Sequence, residues 1–296
     1  MPGEFDFIDW VRARQPRTPL VPVPAGDDLA VLAWPGKVVG SDVRNAFGNV
    51  DGGDLLLVGV DQVLDGVHFD SAVHGPRAVG RKAMNRNLSD CAAMGCLPAA
   101  AVTTFALPRG AGEAYARELY LGLAEAGDAF GCPVVGGDTG SWAGRLAVTV
   151  TILGRAGDVR PVTRDGAAAG DGLWVSGPLG GSILGRHLTF APRIAAGRAL
   201  AAAGAASAML DLSDGLSRDV RHLCRRALGG GGEPRAVTDL RSATELGAVI
   251  AAAAVPVHAD AVELSARDGR PALDHALHDG EDYELLAAVP PAPAAE

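Results

Sequence analysis

The chain has 296 residues, 48% of them hydrophobic and 21% charged, which is typical of a globular protein with one large or two ordinary domains. Its net charge is −9, from 26 basic and 35 acidic residues. Because nucleic-acid backbones are bound by clustered Lys and Arg, this balance argues against DNA or RNA as the main partner.

No apolar run approaches the roughly 18–20 residues of a membrane helix, and the first ten residues, MPGEFDFIDW, lack the layout of a signal peptide. We therefore expect a cytoplasmic protein without a membrane partner. The cysteines form no CxxC pair, which argues against a zinc knuckle or a disulfide framework. We expect four buried free thiols, at Cys91, Cys96, Cys132 and Cys224.

The first half of the chain alternates strand-like and helix-like patterns. A short amphipathic helix is predicted over 4–14. Runs rich in Val, Thr and Ile predict strands at 55–60, 99–106, 133–135 and 146–153. Helices are predicted between them, at 76–95 and 111–130. This alternation indicates an α/β or α+β domain.

A second series of elements follows the turn-rich segment 154–171, so we divide the chain into domains 1–155 and 156–296. In the second half, strands are predicted at 172–176 and 208–212, and helices at 182–204 and 215–228. The glycine-rich stretch 229–234 is expected to be a surface loop, and the tail 290–296 to be disordered.

Aspartates recur after apolar runs or glycine turns in both halves: Asp28, Asp61, Asp90, Asp138, Asp211 and Asp214. They are predicted to lie at strand ends or helix starts, and strand ends meet at one rim of a sheet. Gathered carboxylates repel one another unless a cation compensates. An all-oxygen set without paired Cys or clustered His is typical of Mg²⁺ or Mn²⁺, whose remaining ligands are water and phosphate. The pattern therefore favours a nucleotide or phosphoester substrate.

Each aspartate taken alone has a structural explanation as well. An aspartate at a helix start is commonly an N-cap, and Asp28, Asp90 and Asp214 fit that role. Asp219, further along the same segment, is expected to be an ordinary solvated residue. His68 is either a substrate contact or a packed residue, and Ser213 has no evident His partner for a hydrolase triad.

Two glycine turns offer backbone N–H groups to phosphate oxygens, Gly136-Gly137 and GPLGGS at 177–182. Steric need alone also explains such turns. The chain has no P-loop pattern and no kinase HRD or DFG set, so ATP would require another architecture. Glu281, Asp282 and Glu284 of HDGEDYELL (278–286) are expected to form either a solvated turn before a strand or a ligand-facing turn.

Together the motifs resemble the thiamine-monophosphate kinase family, in the PurM-like ATP-binding superfamily. The matching segments, in the family's order, are GDD (26–28), VDQVLDGVHF (60–69), KAMNRNLSDCAAMG (82–95), VVGGDT (134–139), VTRDGAAAGD (162–171), DLSDGLSRD (211–219) and GEDYEL (280–285). The likeness covers nearly the whole chain. It implies a two-domain α/β (α+β) fold, with an N-terminal mixed-sheet domain that dimerises and a C-terminal α/β domain that closes over the nucleotide.

The resemblance implies Mg²⁺-dependent transfer of the ATP γ-phosphate to thiamine monophosphate, giving thiamine diphosphate and ADP, by a homodimer that binds several Mg²⁺ ions. No catalytic side chain beyond the metal ligands is implied. The implied magnesium-binding positions are Asp28, Gly59, Val60, Asp61, Asp90, Asp138, Asp211 and Asp214. The implied ATP contacts are Tyr120, Gly137, Arg164 and Ser213, and the implied substrate contacts are His68 and Glu281.

The chain departs from the family pattern in three places. Gly59-Val60 replaces a Ser-Thr pair, so backbone carbonyls would have to serve there. Residues 38–54 form an apparent insertion, and the sequence stops soon after GEDYELLAAVP, so we expect an incomplete second domain. Two alternatives therefore stay open: a non-catalytic nucleotide-binding paralogue, and a superfamily enzyme with a different acceptor.

Overall fold

A computed structural model describes residues 27–33, 55–224 and 246–291. The predicted helix at 4–14, the insertion at 38–54 and the stretch 229–234 lie outside these ranges, as does most of the tail. The described chain forms two compact units. The first contains the described residues up to Cys91 together with Cys96–Arg160, and the second contains Ala92–Gly95 and the residues from Pro161 onward.

The first unit is built on a mixed sheet. Its strands are β1 (Ala30–Ala33), β2 (Leu55–Leu64), β3 (Leu97–Pro108), β4 (Val134–Trp142) and β5 (Ala147–Arg155). Their order across the sheet is β1-β2-β5-β3-β4. The β3–β4 pair is parallel and the other pairs are antiparallel.

One face of this sheet packs into the core and the other is exposed, as the two-residue period of a strand requires. Strand β5 buries Val148, Val150 and Ile152 in alternation. Two helices, α1 (Pro76–Ala93) and α2 (Glu113–Asp128), contribute fully buried side chains to this core. They are Met84, Leu88, Leu119 and Leu123.

The helices α1 and α2 approach each other through glycines. A Cβ atom at Gly80 would lie 2.1 Å from the carbonyl oxygen of Leu119, and one at Gly122 would lie 2.0 Å from that of Arg77. Both contacts are to backbone, which cannot rotate away as a side chain can. Glycine at these two positions therefore sets the spacing of the helices, and thereby the place of α1 in the unit.

The second unit contains an antiparallel sheet with the order β6-β8-β7. The strands are β6 (Gly172–Val175), β7 (Ala208–Asp211) and β8 (Leu285–Val289). The helices are α3 (Arg186–Thr189), α4 (Ile194–Ala202), α5 (Leu216–Cys224), α6 (Ala259–Asp268) and α7 (Ala272–His278). Single 3₁₀ turns lie at Arg164–Gly166, Ser182–Leu184 and Ala252–Ala254. Leu210, Leu212, Leu216 and Leu286 are among the residues of its apolar core.

The predicted mixed α/β fold class is confirmed, but the continuous helix predicted at 182–204 is wrong. That segment is a 3₁₀ turn followed by α3 and α4. Gly185 has a φ of 131°, a conformation outside any helix. Pro192 lies just before α4. Because proline has no backbone N–H, it cannot form the hydrogen bond that would continue a helix through this position. In the described part of the chain, no helix is long and apolar enough to cross a membrane.

The cysteines are free, as predicted. Cys91, Cys96 and Cys132 are buried, and Cys224 is half-buried. Burial raises the pKa of Cys132 to about 11, so its thiol stays protonated at neutral pH.

Candidate functional site

Asp28 and Asp90 form the acidic pair of the first unit, with carboxylate oxygens within 4.8 Å of one another. Asp28 lies just before β1, while Asp90 lies inside α1 near its C-terminal end and not at a helix start as predicted. Both side chains are half-buried. Two carboxylates this close fit shared binding of a divalent cation through oxygen.

Asp61 lies inside β2, opposite Val150 of β5, and not at the strand end as predicted. Its carboxylate oxygen Oδ2 accepts a hydrogen bond from Nε of Arg86 at 2.8 Å. The pair is partly buried, with 13% of the Arg86 side chain and 33% of the Asp61 side chain exposed. The motif KAMNRNLSD contains this arginine, but the sequence pattern gave no sign of its partner.

Gly59 lies where β2 approaches the segment before β1. A Cβ atom there would be 2.2 Å from Cδ2 of Leu29 and 3.4 Å from the carbonyl oxygen of Asp28. A side chain at position 59 would thus meet the side chain of Leu29 first and lie next to the backbone carbonyl of Asp28. Val60 lies on the other face of the sheet and is 61% exposed. A metal role for either backbone carbonyl stays a prediction.

Gly137 and Asp138 lie inside the edge strand β4, and not after a strand as predicted. A Cβ atom at Gly137 would lie 1.9 Å from the carbonyl oxygen of Thr103, so the close approach of β3 by itself requires glycine there. Asp61 and Thr103 belong to one row of residues across the sheet. Asp138, which pairs with Thr104, belongs to the adjacent row. Because adjacent rows point to opposite faces, a single copy of this sheet does not bring Asp138 to Asp61.

The remaining predicted contacts of the first unit are Tyr120 and His68. Tyr120 lies on α2 and is 44% exposed. His68 lies in the turn after β2, where its Nδ1 accepts a hydrogen bond from the Leu64 N–H at 3.0 Å. Its carbonyl accepts one from Nζ of Lys82, a fully buried lysine on α1 that sequence reasoning missed. His68 therefore has a structural role in this turn, whatever else it contacts.

In the second unit, Asp211 is the last residue of β7 and is buried, while Asp214 lies in the following turn and is exposed. The GEDYEL segment pairs with this turn through three backbone bonds. They run from Glu281 N to Ser213 O at 2.7 Å, from Tyr283 N to Leu212 O at 2.8 Å, and from Leu212 N to Glu284 O at 2.8 Å. These two motifs, far apart in sequence, therefore form one substructure. Arg164 lies in a 3₁₀ turn of the same unit and is half-buried.

Asp219 is not solvated, and that prediction is wrong. Only 3% of the residue is exposed, and its Oδ2 accepts hydrogen bonds from the N–H groups of Asp214 and Gly215 at 3.0 and 3.1 Å. Burial, and next the charge of Asp214, raise the pKa of Asp219 to about 7. Asp219 therefore fixes the turn that carries Asp214 by bonding its backbone.

The phosphate role predicted for the GPLGGS turn is contradicted at two of its N–H groups. Gly180 N donates to Oδ1 of Asp282 at 2.9 Å, and Gly181 N donates to Oδ2 of Asp279 at 3.2 Å. Carboxylates of the chain itself thus occupy the positions expected for an anionic ligand. The turn is anchored to the segment that precedes β8.

The acids of HDGEDYELL do not form a solvated turn, since Asp282 and Glu284 are only 2% and 4% exposed. Glu284 accepts hydrogen bonds from Arg193 and from Ser176. Glu281, which has a φ of 53°, remains about one quarter exposed and lies 3.3 Å from Nδ1 of His187. Among the acids at 281, 282 and 284, Glu281 is thus the one that retains access to a ligand.

Asp282 makes the stability of this segment dependent on pH. Its Oδ1 accepts from Gly180 and from Nη2 of Arg186 at 3.0 Å, while its Oδ2 has no hydrogen-bond partner among the described residues. Burial raises the pKa of Asp282 to about 6, against the opposing effects of these donors. The folded protein therefore holds a proton between about pH 4 and pH 6 that the unfolded chain releases.

We expect the free energy of unfolding of the wild type, relative to Asp282→Asn, to fall by on the order of 3 kcal/mol as the pH rises from about 4 to about 6. Above that range the difference should be constant. Urea denaturation at a series of pH values measures it, and Asp128→Asn, at an exposed aspartate on α2, is the control. Parallel pH profiles for wild type and Asp282→Asn would contradict the expectation.

The known proteins that this chain resembles identify first its class and then its family. A family profile described as AIR synthase related protein, N-terminal domain, matches residues 26–156. Thiamine-monophosphate kinase of Rhodopirellula baltica is 37% identical over 293 residues, covering 99% of this chain and 84% of the relative. That of Mycobacterium tuberculosis is 33% identical over 312 residues, covering 99% of this chain and 82% of the relative.

A solved structure described as AaThiL complexed with AMPPCP and TMP has a TM-score of 0.75 and 27% sequence identity to this chain. The match covers 97% of this chain and 85% of that one. The fold is thus that of AaThiL, and residues 26–156 are those of an AIR synthase related protein, N-terminal domain. The chain belongs to the thiamine-monophosphate kinase family.

Proposed function

We propose that the protein is an ATP-dependent phosphotransferase that converts thiamine monophosphate and ATP into thiamine diphosphate and ADP in the presence of Mg²⁺. The observation that carries the proposal is the Asp28–Asp90 pair, with oxygens within 4.8 Å, in a member of this family. The complex of a relative with AMPPCP and TMP supports the choice of both substrates.

The chemistry needs charge compensation more than proton transfer. The acceptor is a phosphate monoester, which is already a competent nucleophile near neutral pH, so no side chain is required as general base. Bound Mg²⁺ would offset the repulsion between the two phosphate groups. Asp28 and Asp90 fit as its oxygen ligands on geometry, and Asp61 lies on the same unit beside Arg86.

The remaining assignments follow the family. We propose Asp138, Asp211 and Asp214 as further Mg²⁺ ligands, together with the backbone of Gly59 and Val60. We propose Tyr120, Gly137, Arg164 and Ser213 as ATP contacts, and His68 and Glu281 as thiamine monophosphate contacts. The division into an N-terminal ATP- and Mg²⁺-binding domain, 1–155, and a C-terminal domain, 156–296, is part of the proposal, as is a cytoplasmic location.

The test is direct. Purified protein is incubated with ATP, Mg²⁺ and thiamine monophosphate, and the products are separated by chromatography, with excess chelator as the control. Thiamine diphosphate and ADP in equal amounts are expected. Nucleotide binding without product for any phosphate acceptor would indicate a non-catalytic paralogue, and product with another acceptor alone would indicate a different enzyme of the superfamily.

We also propose that two copies associate through the exposed face of the first unit's sheet. Val60 and Val102 both lie opposite Thr151, so they share one row of that face, and they are 61% and 38% exposed. The edge strand β4 exposes Val135 and Trp142 as well. Exposed apolar side chains gathered on one face of a sheet are typical of a surface that another molecule covers.

Val102→Glu is expected to convert the dimer to a monomer, because the new charge would be buried without a partner. Light scattering after size-exclusion chromatography gives the mass. Val67→Glu, at a 73% exposed valine in the turn after β2, is the matched control and should remain dimeric. A monomeric wild type, or a dimeric Val102→Glu, would contradict this association.

A further inference from the structure

Arg86 bonds Asp61 in the first unit, although the motifs assigned no role to this arginine. Its guanidinium donates from Nε to Asp61 at 2.8 Å, and only 13% of its side chain is exposed. Solvent screens a partly buried ion pair much less than a surface pair. The guanidinium of Arg86 therefore offsets the negative charge of Asp61.

The position of Arg86 on α1 places its charge near the acidic pair as well. Arg86 and Asp90 are four residues apart, so they lie on one face of the helix, a turn from each other. Asp90 is in turn the partner of Asp28. Arg86 thus brings a permanent positive charge to the helix that carries Asp90, and that charge is bonded to Asp61.

We propose that Arg86 is a resident counter-ion of Asp61: it neutralises this carboxylate in the metal-free protein, and a divalent cation must displace it to use Asp61 as a ligand. The proposal rests on the proposed function only in taking Asp61 as a metal ligand. As a consequence of this competition, Arg86 raises the Mg²⁺ concentration that is needed to occupy the metal site of the first unit. Arg86 would thereby set the metal requirement of the enzyme.

The test measures metal binding without any substrate. Mn²⁺, a hard cation that takes the same oxygen ligands as Mg²⁺, is titrated into nucleotide-free protein and its free concentration is followed by electron paramagnetic resonance. Arg86→Gln is expected to bind Mn²⁺ about tenfold more tightly than the wild type, because the carboxylate becomes free. In an Asp61→Asn background the same replacement should change the affinity less than about twofold, since no carboxylate remains to be released.

The control is Arg81→Gln on the same helix. Arg81 is 42% exposed and lies 3.9 Å from Glu125 of α2, so its loss should leave Mn²⁺ affinity unchanged. Unchanged or weaker Mn²⁺ binding by folded Arg86→Gln would overturn the proposal. So would an equal gain in the Asp61→Asn background.

A second variant covers the case in which Arg86→Gln does not fold. Arg86→Lys keeps the charge but loses the planar donor group, so it should hold Asp61 less firmly and bind Mn²⁺ about threefold more tightly than the wild type. Affinity at or below the wild-type level would overturn the proposal. Because no thiamine compound enters this assay, its failure leaves the kinase assignment standing, and absence of kinase activity leaves the Mn²⁺ result standing.

Discussion

Asp90→Asn is expected to lower kcat/KM for phosphoryl transfer by at least about 100-fold at saturating Mg²⁺. The amide keeps the shape of the carboxylate but removes the negative charge that the Asp28–Asp90 pair would present to a cation. Asp90 is half-buried inside α1, so the substitution removes a proposed ligand without opening a cavity. Steady-state kinetics over a range of Mg²⁺ concentrations measures the loss.

The same variant should be no less stable than the wild type when metal is absent. Removing one of two carboxylates within 4.8 Å relieves their repulsion, so the Tm in chelator should stay equal or rise. Added Mg²⁺ should then raise the Tm of the wild type and not that of the variant. Asp128→Asn, far from this pair in sequence and exposed, is the control. Wild-type kinetics in Asp90→Asn would remove this residue from the metal site.

Local signals in the sequence predicted most of the fold. The apolar residues of β2 and β5 predicted strands at 55–60 and 146–153, and the structure confirms both and extends each at its C-terminal end. The long helices α1 and α2, of eighteen and sixteen residues, were likewise predicted, at 76–95 and 111–130. These elements succeed because their own side chains decide their conformation.

The edge strand β4 is an element that local sequence patterns predicted only in part. Only 133–135 was predicted as strand, yet β4 extends over Val134–Trp142, through Gly137 and Asp138. This segment has little β propensity and hardly any buried residue, so its pairing with β3 comes from backbone hydrogen bonds that leave no side-chain pattern. For the same reason Asp138 was placed after a strand and not within one.

The hydrogen-bond and ion-pair partners of the acidic side chains could not be predicted from the sequence. Arg86 and Asp61 are 25 residues apart, and Arg193 and Glu284 are 91 apart. The sequence left Glu284 and Asp282 as either solvated or ligand-facing acids, and only the fold shows that arginine side chains and a backbone N–H group bond them. Motif spacing therefore located the candidate acids, while their burial and charge compensation depended on tertiary contacts.

The second large effect is expected at Gly80, which has no chemical role. Gly80→Val would place a branched side chain where a Cβ atom already comes within 2.1 Å of the Leu119 carbonyl oxygen, so α1 must move away from α2. We expect the Tm to fall by about 6–10 °C, equivalent to about 3 kcal/mol of unfolding free energy. Thermal denaturation followed by circular dichroism measures it.

The matched control is Gly112→Ala, at the N-cap of α2, where a Cβ atom would meet nothing within 4 Å and φ is −75°. Its Tm should change by less than about 2 °C, and an equal loss in both variants would show that the contact with Leu119 is not the cause. The folded fraction of Gly80→Val should also bind Mn²⁺ more weakly. Helix α1 carries Asp90, whereas Asp28 precedes β1, so moving the helix separates two oxygens that the proposed cation site needs close together.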